Sequence, residues 1–158
     1  MKILGIETSC DDTAAAVIEN GSKVLSNLVA SQTDMHERYG GIIPEIASRE
    51  HLNSIIPIVN KAIDDAGISH KDLDAIAVTN GPGLSGSLLI GVNVAKSLGF
   101  AWNKKVFGVN HLEGHIYSAW LENLFKDSNL DFPLACLIAS GGHTDLIIMN
   151  GHLDYEVI

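Results

Sequence analysis

Two segments far apart in the chain share one pattern, and this repetition limits the possible folds more than any other feature. In the first segment, apolar residues 3–6 and 14–18 enclose the hydroxyl-rich polar turn 7–13. In the second, apolar residues 134–139 and 145–149 enclose a glycine-containing turn. Apolar runs on both sides of a turn predict a β-hairpin. The recurrence of the hairpin predicts a repeated architecture.

The residues that follow the first hairpin predict an α/β domain. Asn20-Gly21 marks a turn before a third strand at 24–29, so the chain opens as an antiparallel meander. Apolar residues at three- and four-residue spacing predict a helix over 44–66. Pro57 is expected to kink this helix or make it restart.

A strand that enters a glycine-rich turn and then a helix gives the next part βα organisation. The strand is predicted at 73–78, the turn at 80–83 and the helix at 85–98. A short strand at 106–109, a helix over 111–125 and a polar connection at 126–132 come next.

The second hairpin opens a copy of the first domain that stops at Ile158. We expect one subdomain over 1–130 and the truncated start of a second over 131–158. A lone hairpin is only marginally stable in water. The chain is therefore expected to be truncated, or to be completed by another copy.

The composition excludes several classes of protein. The chain of 158 residues is 46% hydrophobic and 18% charged, without an apolar run near the roughly 18 residues of a membrane span. The start lacks the features of a secretory signal, which predicts a cytoplasmic protein with Cys10 and Cys136 as reduced thiols. The net charge of −9 disfavours simple electrostatic binding of nucleic acid, so any RNA contact is expected to be local or shared with partners.

The strongest candidate site is the pair His111 and His115. Residues at i and i+4 share one face of a helix, so two imidazoles can hold one metal ion there. The alternative is a pair of partly exposed histidines without a ligand. Glu113 lies about 200° around the helix from His111 and cannot serve as the base of an HExxH metalloprotease. Two histidines also need a further ligand, and the chain offers no obvious carboxylate for it.

Both hairpin turns are weaker candidates. In the first turn, backbone N–H groups and hydroxyls can face a phosphate, with Asp11 as the acid/base or orienting group; an Asx-type turn is the alternative. In the second turn, paired glycines let the backbone approach an anion, although a plain hairpin turn explains them equally well. The glycine-rich segment 80–87 is not a phosphate-binding loop of an NTPase, because Gly86 precedes Ser87 where lysine is required. It lines a nucleotide or serves helix packing.

Five phrases, spread in order over the whole chain, closely resemble the tRNA N6-adenosine threonylcarbamoyltransferase family, formerly called O-sialoglycoprotein endopeptidase. The phrases are Gly5-Ile6-Glu7-Thr8-Ser9-Cys10-Asp11-Asp12-Thr13, Tyr39-Gly40-Gly41 with Pro44-Glu45-Ile46-Ala47-Ser48-Arg49-Glu50-His51, Gly81-Pro82-Gly83-Leu84, His111-Leu112-Glu113-Gly114-His115 and Ser140-Gly141-Gly142-His143-Thr144.

The resemblance implies the actin/Hsp70/sugar-kinase fold, with two ribonuclease-H-like halves, of which this chain holds one complete subdomain and the opening hairpin of the second. It implies an iron or zinc ion on His111 and His115, and a catalytic or orienting Asp11. The acyl-adenylate would be cradled by Ile138, Ala139, Ser140, Gly141 and Gly142.

The implied reaction moves the threonylcarbamoyl group of threonylcarbamoyl-AMP to N6 of a tRNA adenosine next to the anticodon, with release of AMP. Family members normally carry a second half with another metal-binding aspartate, so this chain alone is expected to be inactive. The implied partners are tRNA, a non-catalytic subunit of the same fold and a small P-loop ATPase. The amphipathic segment 36–66 is expected to contact the subunit, unless it only packs in the core.

Three other functions compete with this one. A metalloprotease, as in the old family name, is disfavoured by the position of Glu113. An ATPase or sugar kinase of the same fold gives the histidine pair no role. A non-catalytic scaffold needs no metal, and the histidine pair argues against it.

Overall fold

The chain forms two units, Met1–His111 and Leu112–Ile158. The structure, a computed structural model, describes residues 1–123, 131–139 and 144–158, without the side chains of 122 and 123. The predicted subdomain boundary, between 130 and 131, adjoins residues outside this description and stays a prediction.

The first unit is built on a five-stranded mixed sheet, whose strands are β1 (Lys2–Glu7), β2 (Thr13–Glu19), β3 (Lys23–Ala30), β4 (Ala75–Gly81) and β5 (Lys105–Asn110). The order across the sheet is β3-β2-β1-β4-β5. Strands β1, β2 and β3 are antiparallel neighbours, which confirms the predicted meander. Strand β4 pairs parallel to both β1 and β5, so three strands have their carboxyl ends at one edge of the sheet.

The helices are α1 (Thr33–Glu37), α2 (Pro44–Asp65), α3 (Ser85–Trp102) and α4 (His111–Tyr117), with short 3-10 helices at His70–Asp72 and Ser118–Asn123. Helix α2 runs without interruption through Pro57, which excludes the predicted restart. Ile55 and Val59, on either side of this proline, are buried in the core. Their packing offsets the one backbone hydrogen bond that proline removes.

The core of the first unit lies between the sheet and helices α2 and α3. Alternate residues of a strand point to the same face, and in β1 the buried pair is Leu4 and Ile6. Helix α2 packs on β2 and β3, helix α3 packs on β4 and β5, and the two helices contact each other. Full burial of one such aliphatic side chain contributes about 1.5–3 kcal/mol.

The second unit repeats the meander that opens the first. Its antiparallel sheet consists of β6 (Leu134–Ala139), β7 (Thr144–Gly151) and β8 (Asp154–Val157), in that order. The predicted second hairpin is confirmed, and β8 adds a strand that the sequence did not predict. Ile116 of α4 packs against Ile138, Ile147 and Met149 of this sheet.

The predicted helix over 111–125 is shorter in the structure. Helix α4 ends at Tyr117, and the tighter turns of the 3-10 helix continue to Asn123. Residues 124 and 125, and most of the predicted polar connection, lie outside the described residues. Within the described ranges, no helix has the length and apolarity that crossing a membrane requires.

Adjacent isoleucines of α2 provide a matched test of this packing. Ile55 is 1% exposed and Ile56 is 44% exposed. Replacement of Ile55 by alanine is expected to lower the free energy of unfolding by about 2–5 kcal/mol, because it leaves a cavity in the core. Ile56→Ala is expected to change it by only about 0.5 kcal/mol. Urea denaturation followed by circular dichroism measures both, and equal losses would contradict the assigned helix face.

Candidate functional site

Three polar side chains meet where the parallel strands of the first unit end. Glu7 is the last residue of β1, Thr79 lies near the end of β4, and His111 directly follows β5. The carboxyl ends of parallel strands are the usual location of ligand sites in α/β sheets. Residues that are remote in the sequence are therefore brought to one place by the order of the strands.

The imidazole of His111 is held by Glu7 and Ser9. Its Nδ1 atom lies 3.2 Å from Oε2 of Glu7 and 3.2 Å from Oγ of Ser9. An ionised carboxylate can only accept hydrogen bonds, so Nδ1 of His111 carries a hydrogen and donates it to Glu7. This is the arrangement in which metal-binding histidines are oriented by a carboxylate.

Glu7 is surrounded by donors. Oε2 also accepts a hydrogen bond from the hydroxyl of Thr79, and Oε1 accepts one from the backbone N–H of Ser9. Burial alone would raise the pKa of Glu7, but the hydrogen bonds from Thr79, Ser9 and His111 outweigh it and lower the pKa. The carboxylate is therefore charged at neutral pH.

Asp11 lies in the turn that begins with Ser9. The turn joins β1 to β2, and the Asp11 side chain is partly exposed. Burial, together with the charge of Asp11, raises the pKa of the neighbouring Cys10 thiol. Cys10 is therefore a neutral thiol, and the carboxyl groups that this turn presents are those of Asp11 and Asp12.

The glycine-rich segment before α3 serves helix packing, which is one of the two roles left open by the sequence. The backbone N–H of Leu84 donates to the carbonyl oxygen of Ser9 over 2.7 Å, and the Thr8 hydroxyl donates to the carbonyl of Ser87 over 2.9 Å. A Cβ atom on Gly83 would lie 2.5 Å from the Ser9 carbonyl oxygen. Glycine is required there because the turn and the start of α3 approach so closely.

Both predicted metal ligands lie on α4, four residues apart, so they share one face of the helix. His115 is exposed. Among the residues that the structure describes, no group of three or more histidine, cysteine or carboxylate side chains is arranged to hold a metal ion. A metal ion on this pair would need a further ligand.

Glu113 lies on α4, between His111 and His115 in the sequence. Burial, Tyr117 and the charge of Glu113, in decreasing order, raise the pKa of Tyr155 in β8. The carboxylate thus acts on the sheet of the second unit.

A cavity of about 440 Å³ in the second unit is lined by several of the predicted site residues. Its walls include His115 and Ile116 of α4 and the length of β6 up to Ile138 and Ala139. Ile138 is buried and Ala139 is exposed. Ser140, Gly141 and Gly142, which were predicted to cradle the acyl-adenylate, lie outside the described residues. A cavity of this size suits a small ligand.

Sequence reasoning missed Glu7 and Thr79 as partners of His111. Glu7 is the last residue of β1, and Thr79 lies two residues before the end of β4. That position is a signal once the strands are known to be parallel, since it places the residue at the ligand-binding edge. The sequence identified the hairpin and not the pairing of β1 with β4.

The first unit and its polar edge define a subdomain of the actin/Hsp70/sugar-kinase class. The fold agrees with that of YeaZ from Pseudomonas aeruginosa, with a TM-score of 0.61 and 20% identity over 99% of this chain and 63% of that one. Residues 23–158 match the family model TsaD, tRNA N6-adenosine threonylcarbamoyltransferase, and the chain belongs to this family.

Curated relatives with that name match the whole chain. The protein from Thermomicrobium roseum is 58% identical over 160 residues, which cover 100% of this chain and 44% of the relative. The protein from Bacillus subtilis is 52% identical over 158 residues, again 100% of this chain and 44% of the relative. The chain therefore spans a little under half the length of these relatives.

Replacement of Glu7 by glutamine tests the charged cluster. Glutamine would turn an N–H toward groups that already donate, so the free energy of unfolding at pH 7 is expected to fall by about 1–2 kcal/mol. In the wild type, the pKa of Glu7 is lower in the folded state, so the unfolded state takes up the proton at a higher pH than the folded state does. The stability that Glu7 contributes is present above pH 4.5 and is lost as the pH falls through the lower, folded-state pKa.

The Glu7→Gln variant is expected to lack this part of the acid dependence in urea denaturation at a series of pH values. Glu37→Gln, at an exposed position of α1, is the control and should follow the wild type. If Glu7→Gln and wild type give the same curve, Glu7 is not held as a charged acceptor.

Proposed function

We propose that the chain is part of an enzyme that transfers the threonylcarbamoyl group from threonylcarbamoyl-AMP to N6 of a tRNA adenosine next to the anticodon. The N6 amine attacks the carbamoyl carbon, the bond from that carbon to the phosphate oxygen breaks, and AMP leaves. The single observation that supports this most is His111, oriented by a carboxylate at the ligand-binding edge of a sheet, in a chain of the TsaD family.

His111 and His115 are proposed to hold one divalent ion, iron or zinc. The residues fit such an ion, because Nδ1 of His111 is engaged by the carboxylate of Glu7, as is usual for metal-binding histidines. The ion would polarise the carbonyl of the threonylcarbamoyl group. Glu7 and Ser9 orient the His111 ring, and α4 sets the spacing to His115.

Asp11 is proposed as the acid/base or orienting group, because it is the less exposed of two aspartates in a turn that also contacts His111 through Ser9. Ile138, Ala139, Ser140, Gly141 and Gly142 are proposed to cradle the acyl-adenylate. The cavity that Ile138 and Ala139 share with His115 supports this role. A base would accept the proton that the N6 amine loses during attack.

The complete enzyme is proposed to need the rest of the relatives' length, since this chain covers 44% of them. The chain alone is therefore expected to be inactive. The proposed partners are tRNA, a non-catalytic subunit of the same fold and a small P-loop ATPase. On α2, Leu52 is 62% exposed and Ile56 is 44% exposed, which supports the outer face of this helix as a subunit contact.

Metal analysis of the full-length protein tests the histidine pair. His111→Ala and His115→Ala are each expected to lower the bound iron or zinc from about one equivalent to a small fraction, because each removes one of few ligands. His70→Ala, at an exposed position against Trp102, is the control and should keep the metal. Inductively coupled plasma mass spectrometry after dialysis measures the content. Unchanged metal in both histidine variants would refute the site.

A transfer assay with the full-length protein tests the reaction. Modified adenosine in tRNA, measured by mass spectrometry after digestion to nucleosides, is expected to require threonylcarbamoyl-AMP. Asp11→Asn is expected to lower kcat by about 100-fold or more if Asp11 moves the proton. Asp34→Asn, on the exposed face of α1, is the control. ATP turnover without tRNA would instead support a kinase-like function, and peptide cleavage a protease.

A further inference from the structure

The turn that carries Asp11 rests on one fully buried histidine. His51 is 0% exposed and lies on α2 beneath the turn. Its Nδ1 atom lies 2.7 Å from Oγ1 of Thr13, and its Nε2 atom lies 3.1 Å from the carbonyl oxygen of Cys10. The two ring nitrogens therefore contact residues on either side of Asp11 and Asp12.

The partners of His51 determine its tautomer. A carbonyl oxygen can only accept, so Nε2 carries the hydrogen and donates it to Cys10. In the neutral ring Nδ1 is then an acceptor, and the hydroxyl of Thr13 donates to it. Thr13 is itself fully buried. The bond to Thr13 is therefore shielded from water, and the bond to Cys10 is partly buried. Removal of water strengthens such bonds.

The same turn is held from a second helix. Leu84, just before α3, donates its N–H to the Ser9 carbonyl oxygen, and the Thr8 hydroxyl donates to Ser87 at the start of α3. These bonds fix the first part of the turn. The contact of His51 with Cys10 and Thr13 fixes the second part, which contains Asp11.

We propose that His51 is a positioning residue: its Nε2–H···O=C bond to Cys10 sets the backbone of the turn and, through it, the place of the Asp11 carboxylate. The inference rests on the proposed role of Asp11. It extends that role to a residue on α2 that would otherwise count only as part of the core. A displacement of a reacting group by about 1 Å lowers a rate by as much as 100-fold.

Two substitutions separate the two ring nitrogens. In His51→Gln the amide nitrogen stands near the position of Nε2 and keeps a donor for Cys10. In His51→Asn the amide stands near the position of Nδ1, so the bond to Thr13 can be kept and the bond to Cys10 is lost. The two variants therefore differ in the hydrogen bond to the Cys10 carbonyl oxygen, which is the bond proposed to position the turn.

In the transfer assay with the full-length protein, His51→Asn is expected to lower kcat by about 10- to 100-fold. The KM for tRNA should stay within about threefold of the wild type, since the turn is a local element. His51→Gln is expected to restore most of the lost kcat. Equal losses in both variants, or a loss confined to KM, would overturn the proposal.

Hydrogen–deuterium exchange of the same proteins tests the positioning without activity. Amides of residues 8–13 are expected to exchange faster in His51→Asn than in His51→Gln, whereas those of β7 should be unchanged. A uniform increase over the whole chain would show that His51 only stabilises the core, and would overturn the proposal. Nitrogen NMR of the wild-type protein adds a test that needs no variant: a His51 ring protonated on Nδ1 alone contradicts the assigned bond.

Failure of the proposed function gives a different pattern of results. In one outcome, the wild-type protein transfers nothing to tRNA while amide exchange of residues 8–13 is still faster in His51→Asn than in His51→Gln. In that case the transferase proposal is wrong and His51 still positions the turn. If transfer occurs and exchange does not separate the variants, the function holds and the role of His51 is refuted.

Discussion

The hydrogen bond between Glu7 and His111 is the contact on which the site depends. It joins the end of the first strand to the start of α4 across 104 positions of sequence. A charged carboxylate that is partly buried is stable only with donors around it, and Thr79, Ser9 and His111 supply them. The same bond that stabilises the charge therefore orients the imidazole. One hydrogen bond therefore both stabilises the strand ends and orients the candidate metal ligand.

Ser9 connects this cluster to the turn that carries Asp11. Its N–H donates to Glu7, its carbonyl accepts from Leu84, and its hydroxyl lies beside His111. At 3% exposure it has little freedom to change partners. The positions of Asp11 and of the His111 ring are consequently set by one short stretch of backbone. Hydrogen bonds of Ser9 thus connect the turn that carries Asp11 to the His111 ring within the first unit.

Much of the fold could be predicted from the sequence, because burial of one face leaves a period in the apolar residues. The strands of both hairpins and the long helix α2 follow such a period and were predicted within a few residues. Strand β8 has no period to detect, since Tyr155 is its only residue that is not exposed. Helix α1 was not predicted, because its five residues are too few to show a helical period. The continuity of α2 at Pro57 depends on tertiary packing, which local propensity does not describe.

The candidate site was predictable only in part, for a physical reason. His111 and His115 are neighbours on one helix, so their spacing in the sequence already describes their relation. Glu7, Thr79 and His111 meet because β4 lies between β1 and β5. That order is a property of parallel pairing, in which strands distant in sequence become neighbours through a crossover. His51 is a similar case: it fits the apolar face of α2 as a core residue, and only the two bonds to Cys10 and Thr13 distinguish it. A buried polar side chain with both nitrogens bonded to one turn is better explained by the geometry of that turn than by hydrophobic packing, because an aliphatic residue would fill the same space without polar groups to satisfy.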